Sequence, residues 1–142
     1  MVASTRRVKR RASAEACPCG LGVPYGDCCA RWHSGLPEPD AERLMRSRYC
    51  AYVMGLDDYV LATWHPDTRP LTIAQEGAAV IRWVGLEVLR HELIAVEAAP
   101  NCALVEFIAR YKVNGRAGRM REVSSFRRDD GRWYYLSGAV SE

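Results

Sequence analysis

From Ala103 to Val113 the chain alternates. Val105, Phe107, Ala109, Tyr111 and Val113 fall on one side, and Glu106, Arg110 and Lys112 on the other. A period of two predicts a strand with one buried face. Asn114-Gly115 is a strong hairpin signal, because both residues accept the positive φ of a tight turn. The next alternating run, Arg119–Arg127, sets Met120, Glu122, Ser124 and Phe126 against Arg119, Arg121, Val123 and Arg127. Asp129-Asp130-Gly131 turns again into a run over Trp133–Ser137. An earlier strand is predicted from about Leu86 to Glu97, with its alternation slipping at Glu92–Ile94 as a bulge would make it do.

Ahead of the strands the period is helical. Ala41, Met45, Tyr49, Tyr52 and Val53 form one apolar stripe over 41–54. Pro39 and Asp40 suit its start and Gly55 its stop. Asp57-Asp58 opens a second short helix through Trp64, which Pro66 ends. Part of Thr72–Trp83 is predicted helical. Helices followed by an antiparallel meander give an α+β domain, with the helices packed on one face of a curved sheet.

The stretch CPCGLGVPYGDCC, Cys17 to Cys29, holds four of the six cysteines and follows neither period. Pro18 turns the chain between Cys17 and Cys19, and Gly20, Gly22 and Gly26 give the loop freedom to curl. Disulfides, free thiols, a redox cluster or a metal are the available chemistries. The compartment bears on the choice. The amino-terminal run has twin arginines but lacks the apolar segment of an export signal, and no window is apolar enough to span a bilayer. A cytoplasmic protein is expected, where lasting disulfides are disfavoured. Four thiolates in this spacing then predict a closed structural zinc site on Cys17, Cys19, Cys28 and Cys29; an S₄ site also accepts iron. Such a metal folds a fragment too short for a core of its own.

Charge changes the picture at one end only. Arg6, Arg7, Lys9, Arg10 and Arg11 lie in the first eleven residues without an acid among them, while residues 12–142 carry 15 basic against 17 acidic groups. The tail is a weak candidate for phosphate contacts, and the −2 body argues against a broad nucleic-acid face. The predicted division is a basic tail over 1–15, a zinc module over 16–36 and an α+β domain over 37–142.

C-x-C, eight residues, then C-C resembles the SEC-C motif, the zinc module named after the C-terminal end of the SecA translocation motor. The four cysteines match its ligand positions, with Cys29 where the SecA version has histidine; His33 lies four residues beyond. The lysines usual in the motif's loop are replaced by Val23, Pro24, Gly26 and Asp27. PDAERLMRSRYCAYVMG, TWHP, WVGL and REVSSFRRDDGRWYYLSG resemble the YchJ family of uncharacterised proteins. That resemblance implies a cone-shaped domain of the nuclear-transport-factor-two-like superfamily, with a pocket between sheet and helices. It also allows two cones to pair through their open sheet faces.

Four residues are candidates for that pocket: Arg48, Tyr52, His65 and Glu122. Glu122 shares its face with Met120 and Phe126 and so points inward, and Arg48 lies one turn from Leu44 and Tyr52. Arg48 and Glu122 fit either a buried ion pair fixing helix to sheet or a site for a polar ligand or proton transfer. His65, at a helix end, fits a structural role or a general base. Trp64, Trp83, Trp133, Tyr134 and Tyr135 suit the core or a pocket wall. Cys50 is a small hydrophobe and Cys102 an ordinary thiol by default. Three function classes follow: a non-enzymatic adaptor for a protein partner near the ribosome or translocation machinery, by analogy with SecA; a small-molecule-binding or enzymatic cone; and a weak nucleic-acid binder.

Overall fold

In a computed structural model, which describes residues 14–73, 80–96 and 99–141, the helical stripe folds over the span its caps predict. The first helix, α1, covers only Cys29–His33, and the long helix, α2, runs Ala41–Met54. The Asp40 side chain accepts the Arg43 amide at 2.8 Å, satisfying one of the unpaired N–H groups of the first turn. Gly55 ends the helix in the left-handed region at φ 72°. A third helix, α3, spans Asp57–Ala62. It stops short of Trp64 because Thr63–His65 pairs with the sheet instead: Tyr135 N–H donates to Thr63 O at 2.9 Å, and His65 N–H to Tyr135 O at 2.7 Å.

Four strands follow: β1 (Arg82–Val96), β2 (Ala99–Val113), β3 (Arg116–Asp129) and β4 (Arg132–Ser141), antiparallel in chain order. Asn114-Gly115 and Asp130-Gly131 both have positive φ at both residues, as two-residue hairpin turns require. Of the segment expected to be partly helical, residues 74–79 lie outside the described residues, and Arg82 and Trp83 belong to β1. The expected bulge at Glu92–Ile94 is displaced. Those residues pair in register with Leu104, Ala103 and Cys102, and the register shifts fall between Trp83 and Gly85, Val88 and Arg90, and Ile94 and Val96. The extra residues at the first two shifts, Val84 and Leu89, are exposed.

The core lies between α2 and the sheet. Ala41, Leu44, Met45 and Tyr49 meet Ala103, Val105, Phe107 and Ala109 of β2, Phe126 of β3 and Trp133 of β4. The inward faces expected of β2 and β3 are the observed ones. The helix stripe needs correction: Tyr52 and Val53 are 37% and 38% exposed, whereas Leu44, Cys50 and Ala51 are fully buried. The reason is that α2 is covered on two sides. One side meets the sheet, and Cys50 packs among the amino-terminal cysteines.

Candidate metal centre and cone pocket

The cysteine stretch is built as a knuckle. Cys17 N–H donates to Val23 O at 2.9 Å, Gly20 N–H to Cys17 O at 3.2 Å and Cys28 N–H to Tyr25 O at 3.0 Å. These bonds close the loop so that the two cysteine pairs face each other. Gly20 and Gly22 take φ of 86° and 82°, which side chains disfavour, and a Cβ on Gly20 would lie 3.4 Å from Leu86 O. Gly26 is not among the positive-φ glycines, so its expected contribution falls to Gly20 and Gly22. A short 3₁₀ turn over Tyr25–Asp27 delivers Cys28, and α1 starts at Cys29.

The four Sγ atoms all lie within 4.8 Å of one another and all four side chains are buried. Cys19 and Cys28 are 3.5 Å apart. Metal–sulfur bonds of about 2.3 Å in a tetrahedron give sulfur–sulfur edges of roughly 3.8 Å, so the tetrad fits such an ion. Hydrogen bonds from Cys19, Cys29 and Cys50 hold Cys17 far below the usual thiol range. Cys19 and Cys29 are pushed far above it, first by sharing protons with Cys17 and further by burial. A buried dication is the partner that lets several such thiols ionise together.

His33 is not part of the tetrad. Its Nε2–H donates to Ser47 O at 2.9 Å and its Nδ1 accepts from the Tyr25 hydroxyl at 2.7 Å, so both ring nitrogens are taken. Burial lowers its pKa, which favours the neutral ring these bonds need. Cys50, expected by default as a small hydrophobe, lies beside the tetrad. It sits on α2, fully buried, with its sulfur 3.8 Å from that of Cys17, thirty-three residues away. The module is also bonded to the domain behind it: Arg46 Nη1 donates to Cys19 O at 2.8 Å and Arg132 Nη2 to Gly35 O at 3.1 Å.

A cavity of about 320 Å³ opens between α2 and the sheet. Three of the four pocket candidates line it: Arg48, Tyr52 and Glu122. His65 does not, and its expected place there is corrected. The Asp67 amide donates to its Nδ1 at 3.1 Å, so Nε2 carries the proton given to Asp129 Oδ2 at 2.6 Å. His65 therefore ties the end of the helical layer to the β3–β4 turn. Trp64, Trp83 and Tyr135 form pocket walls, whereas Trp133 is buried in the core and Tyr134 packs edge-on against His65 at 5.8 Å. Ser124 is a further lining residue that sequence reasoning missed, although its place between Glu122 and Phe126 on an inward face was a usable signal.

Arg48 is buried and makes no ion pair with Glu122 within 4 Å among the described residues. Its Nη1 donates to Val60 O at 2.7 Å and to Thr63 Oγ1 at 2.8 Å. Its guanidinium lies 4.5 Å from the Tyr135 ring centre and 5.1 Å from that of Trp64. Burial lowers its pKa, and the nearby Glu122 charge is among the influences that oppose this. Glu122 accepts a short hydrogen bond from Ser124 Oγ. Arg48 therefore ties α2 to α3 through a carbonyl and a hydroxyl, and meets the sheet through its cation–π contact with Tyr135 rather than through the ion pair.

Among the described residues no helix is long and apolar enough to cross a membrane. Residues 14–31 match the model of the SEC-C motif, and residues 40–138 match that of the YchJ middle NTF2-like domain. The UPF0225 protein of Chromobacterium violaceum is 52% identical over 136 residues, covering 94% of this chain and 98% of the relative. That of Bordetella bronchiseptica is 46% identical over 135 residues, covering 93% and 98%. A SEC-C motif containing protein from Rhodopseudomonas palustris, solved in solution, superposes with a TM-score of 0.76 at 32% identity, over 90% of this chain and all of that one. A crystal structure of a SEC-C motif containing protein from Psychrobacter arcticus gives 0.72 at 28% identity, over 93% and 86%. With both halves matched in order and relatives aligned over almost their whole length, the chain belongs to the YchJ, or UPF0225, family.

Proposed function

We propose that this protein is a non-enzymatic binding protein in which a metal-stapled knuckle presents a surface to a protein partner. The observation that carries the reading is the closed donor set: four buried cysteine thiols converge within 4.8 Å, so the protein itself fills every position of a tetrahedral ion. Catalytic zinc sites keep one position for water or substrate, whereas closed sites are structural. Zinc is the metal the donor set suits best, and iron is the alternative. The ion's role is to hold the loop, whose tip carries Leu21 and Val23 partly exposed. The analogy with the SecA module suggests a cytoplasmic partner near the ribosome or the translocation machinery.

The test is a photo-crosslinker at Val23, with ribosomes and isolated SecA offered separately. Crosslinks to a discrete protein that vanish on chelation are expected. Crosslinks that persist after chelation, or none with either preparation, would refute the reading. If co-sedimentation with ribosomes instead falls steeply with salt and is lost when residues 1–13 are removed, the phosphate-binding tail is the active element.

A second reading is favoured by the cavity. A space of about 320 Å³ with an aromatic lining, one carboxylate and one guanidinium has the size and make-up of a small-ligand site. Ser124 and Glu122 form a hydroxyl–carboxylate pair in its lining, but no histidine, lysine or cysteine lines it among the described residues, and binding rather than turnover is the activity inferred.

A further inference from the structure

The chemistry of a guest in this cavity turns on which polar atoms are still free, and this inference rests on the small-ligand reading above. Arg48 is held but not saturated: its Nη1 is bonded to Val60 and Thr63 and its flat group lies against Tyr135 and Trp64, while among the described residues nothing accepts from Nε or Nη2. Glu122 is likewise open on one side. Ser124 occupies Oε2, and among the described residues nothing donates to Oε1.

The space around the carboxylate depends on a glycine. Gly138 stands opposite Ser124 on β4. A Cβ at Gly138 would lie 2.5 Å from Glu122 Oε2 and 2.8 Å from the Tyr135 hydroxyl. The carboxylate and the phenol thus converge on one point that any side chain there would fill. Burial and then the Glu122 charge push the Tyr135 pKa up to about 12, so the phenol remains a donor.

Charge and shape narrow the guest. One guanidinium and one carboxylate cancel, so a charged guest would bring an uncompensated charge into a poorly solvated space. The wall rings meet one another edge-on, Tyr49 with Trp83 at 69° and Phe126 with Tyr135 at 71°, so they do not stack in parallel on one another. A volume of about 320 Å³ is at the small end for ligand pockets and suits one or two fused rings.

We propose that the cone pocket binds a neutral, planar heteroaromatic molecule that donates an N–H to Glu122 and stacks against the aromatic walls, Trp83 and Tyr135 among them. The probes are benzimidazole, its 1-methyl derivative, benzoate and benzyltrimethylammonium. They are titrated into the full-length, metal-loaded protein while the indole N–H resonances of Trp83 and Trp64 are followed by NMR. Benzimidazole is expected to shift Trp83 saturably, with a Kd on the order of 1 mM or tighter for so small a molecule. Methylation removes the donor and should weaken binding about tenfold or more, as loss of a hydrogen bond to a charged acceptor does. Glu122→Gln should weaken benzimidazole similarly and leave the methylated probe nearly unchanged. If that variant fails to fold, the two probes on the unaltered protein still decide.

Equal binding of the two benzimidazoles would overturn the Glu122 contact. Tighter binding of benzyltrimethylammonium or of benzoate would overturn the neutral-guest assignment, in favour of a cation cage or an Arg48 anion site. All three results would leave a ligand pocket in place. If no probe of any class shifted Trp83 or Trp64, the small-ligand reading itself would fall.

Discussion

Removing one of the proposed metal ligands, as in Cys19→Ser, would separate what the ion does for the knuckle from what the knuckle does for the cone. The knuckle has little core beyond its own cysteines, so loss of the ion should unfold it. The cone keeps its own core between α2 and the sheet and should remain folded at 25 °C. It should nevertheless be weakened, because two buried or half-buried contacts come from the knuckle: Arg46 to Cys19 O, and His33 to Ser47 O. A bond from a charged donor contributes about 1.5–3 kcal/mol and a neutral one about 1 kcal/mol, which gives roughly 2.5–4 kcal/mol for the pair. At about 4 °C per kcal/mol for a chain of this length, the melting temperature should fall by about 10–16 °C. The assay is thermal unfolding followed by far-UV circular dichroism at 218 nm, with the unaltered protein plus and minus chelator alongside. A melting temperature shifted by less than about 2 °C would mean the knuckle does not brace the cone. Loss of the strand signal at 25 °C would mean the cone has no independent core. Either result would refute the reasoning.

Three further outcomes are expected. Native mass spectrometry should find one divalent ion per chain, retained in Cys50→Ala and lost in Cys28→Ala; loss in both would place Cys50 among the ligands. Phe126→Ala removes a side chain 2% exposed at the centre of the core and should cost about 3–5 kcal/mol in urea denaturation, a value below about 1 kcal/mol being incompatible with the packing described. Burial raises the pKa of Glu38 despite the hydrogen bond from Tyr59, so the folded state binds this proton more tightly than the unfolded chain. Its charge then opposes folding at pH 7, and this cost is relieved as pH falls through the folded value. Glu38→Gln should raise the melting temperature at pH 7 and flatten its change towards pH 4.5; a lower melting temperature would show that the Tyr59 bond needs the ionised acceptor.

The cysteine tetrad and the bounds of α2 were legible in the chain because they depend on near neighbours. Cys17, Cys19, Cys28 and Cys29 fall within thirteen residues, and the turns that gather them need only Gly20, Gly22 and local carbonyls. Asp40 and Gly55 delimit α2 through bonds to residues three and four away. The alternation of β2 and β3 identified their inward faces because a strand's side chains change sides at every residue. The bulges of β1 were less legible, since an apolar residue such as Leu89 can be extruded as readily as it is buried.

The tertiary structure alone decided which distant polar groups meet. Cys50 reaches Cys17 across thirty-three residues, and His65 reaches Asp129 across sixty-four. Arg48 and Glu122, both inward by pattern, line one cavity without pairing, because Val60 and Thr63 hold the guanidinium and Ser124 holds the carboxylate. Periodicity determines the face a residue occupies. Whether two residues on facing layers touch depends on how the layers dock and on where a small residue such as Gly138 leaves room, to within about an ångström. That margin is set by the packing of the whole domain, which no local stretch of sequence encodes.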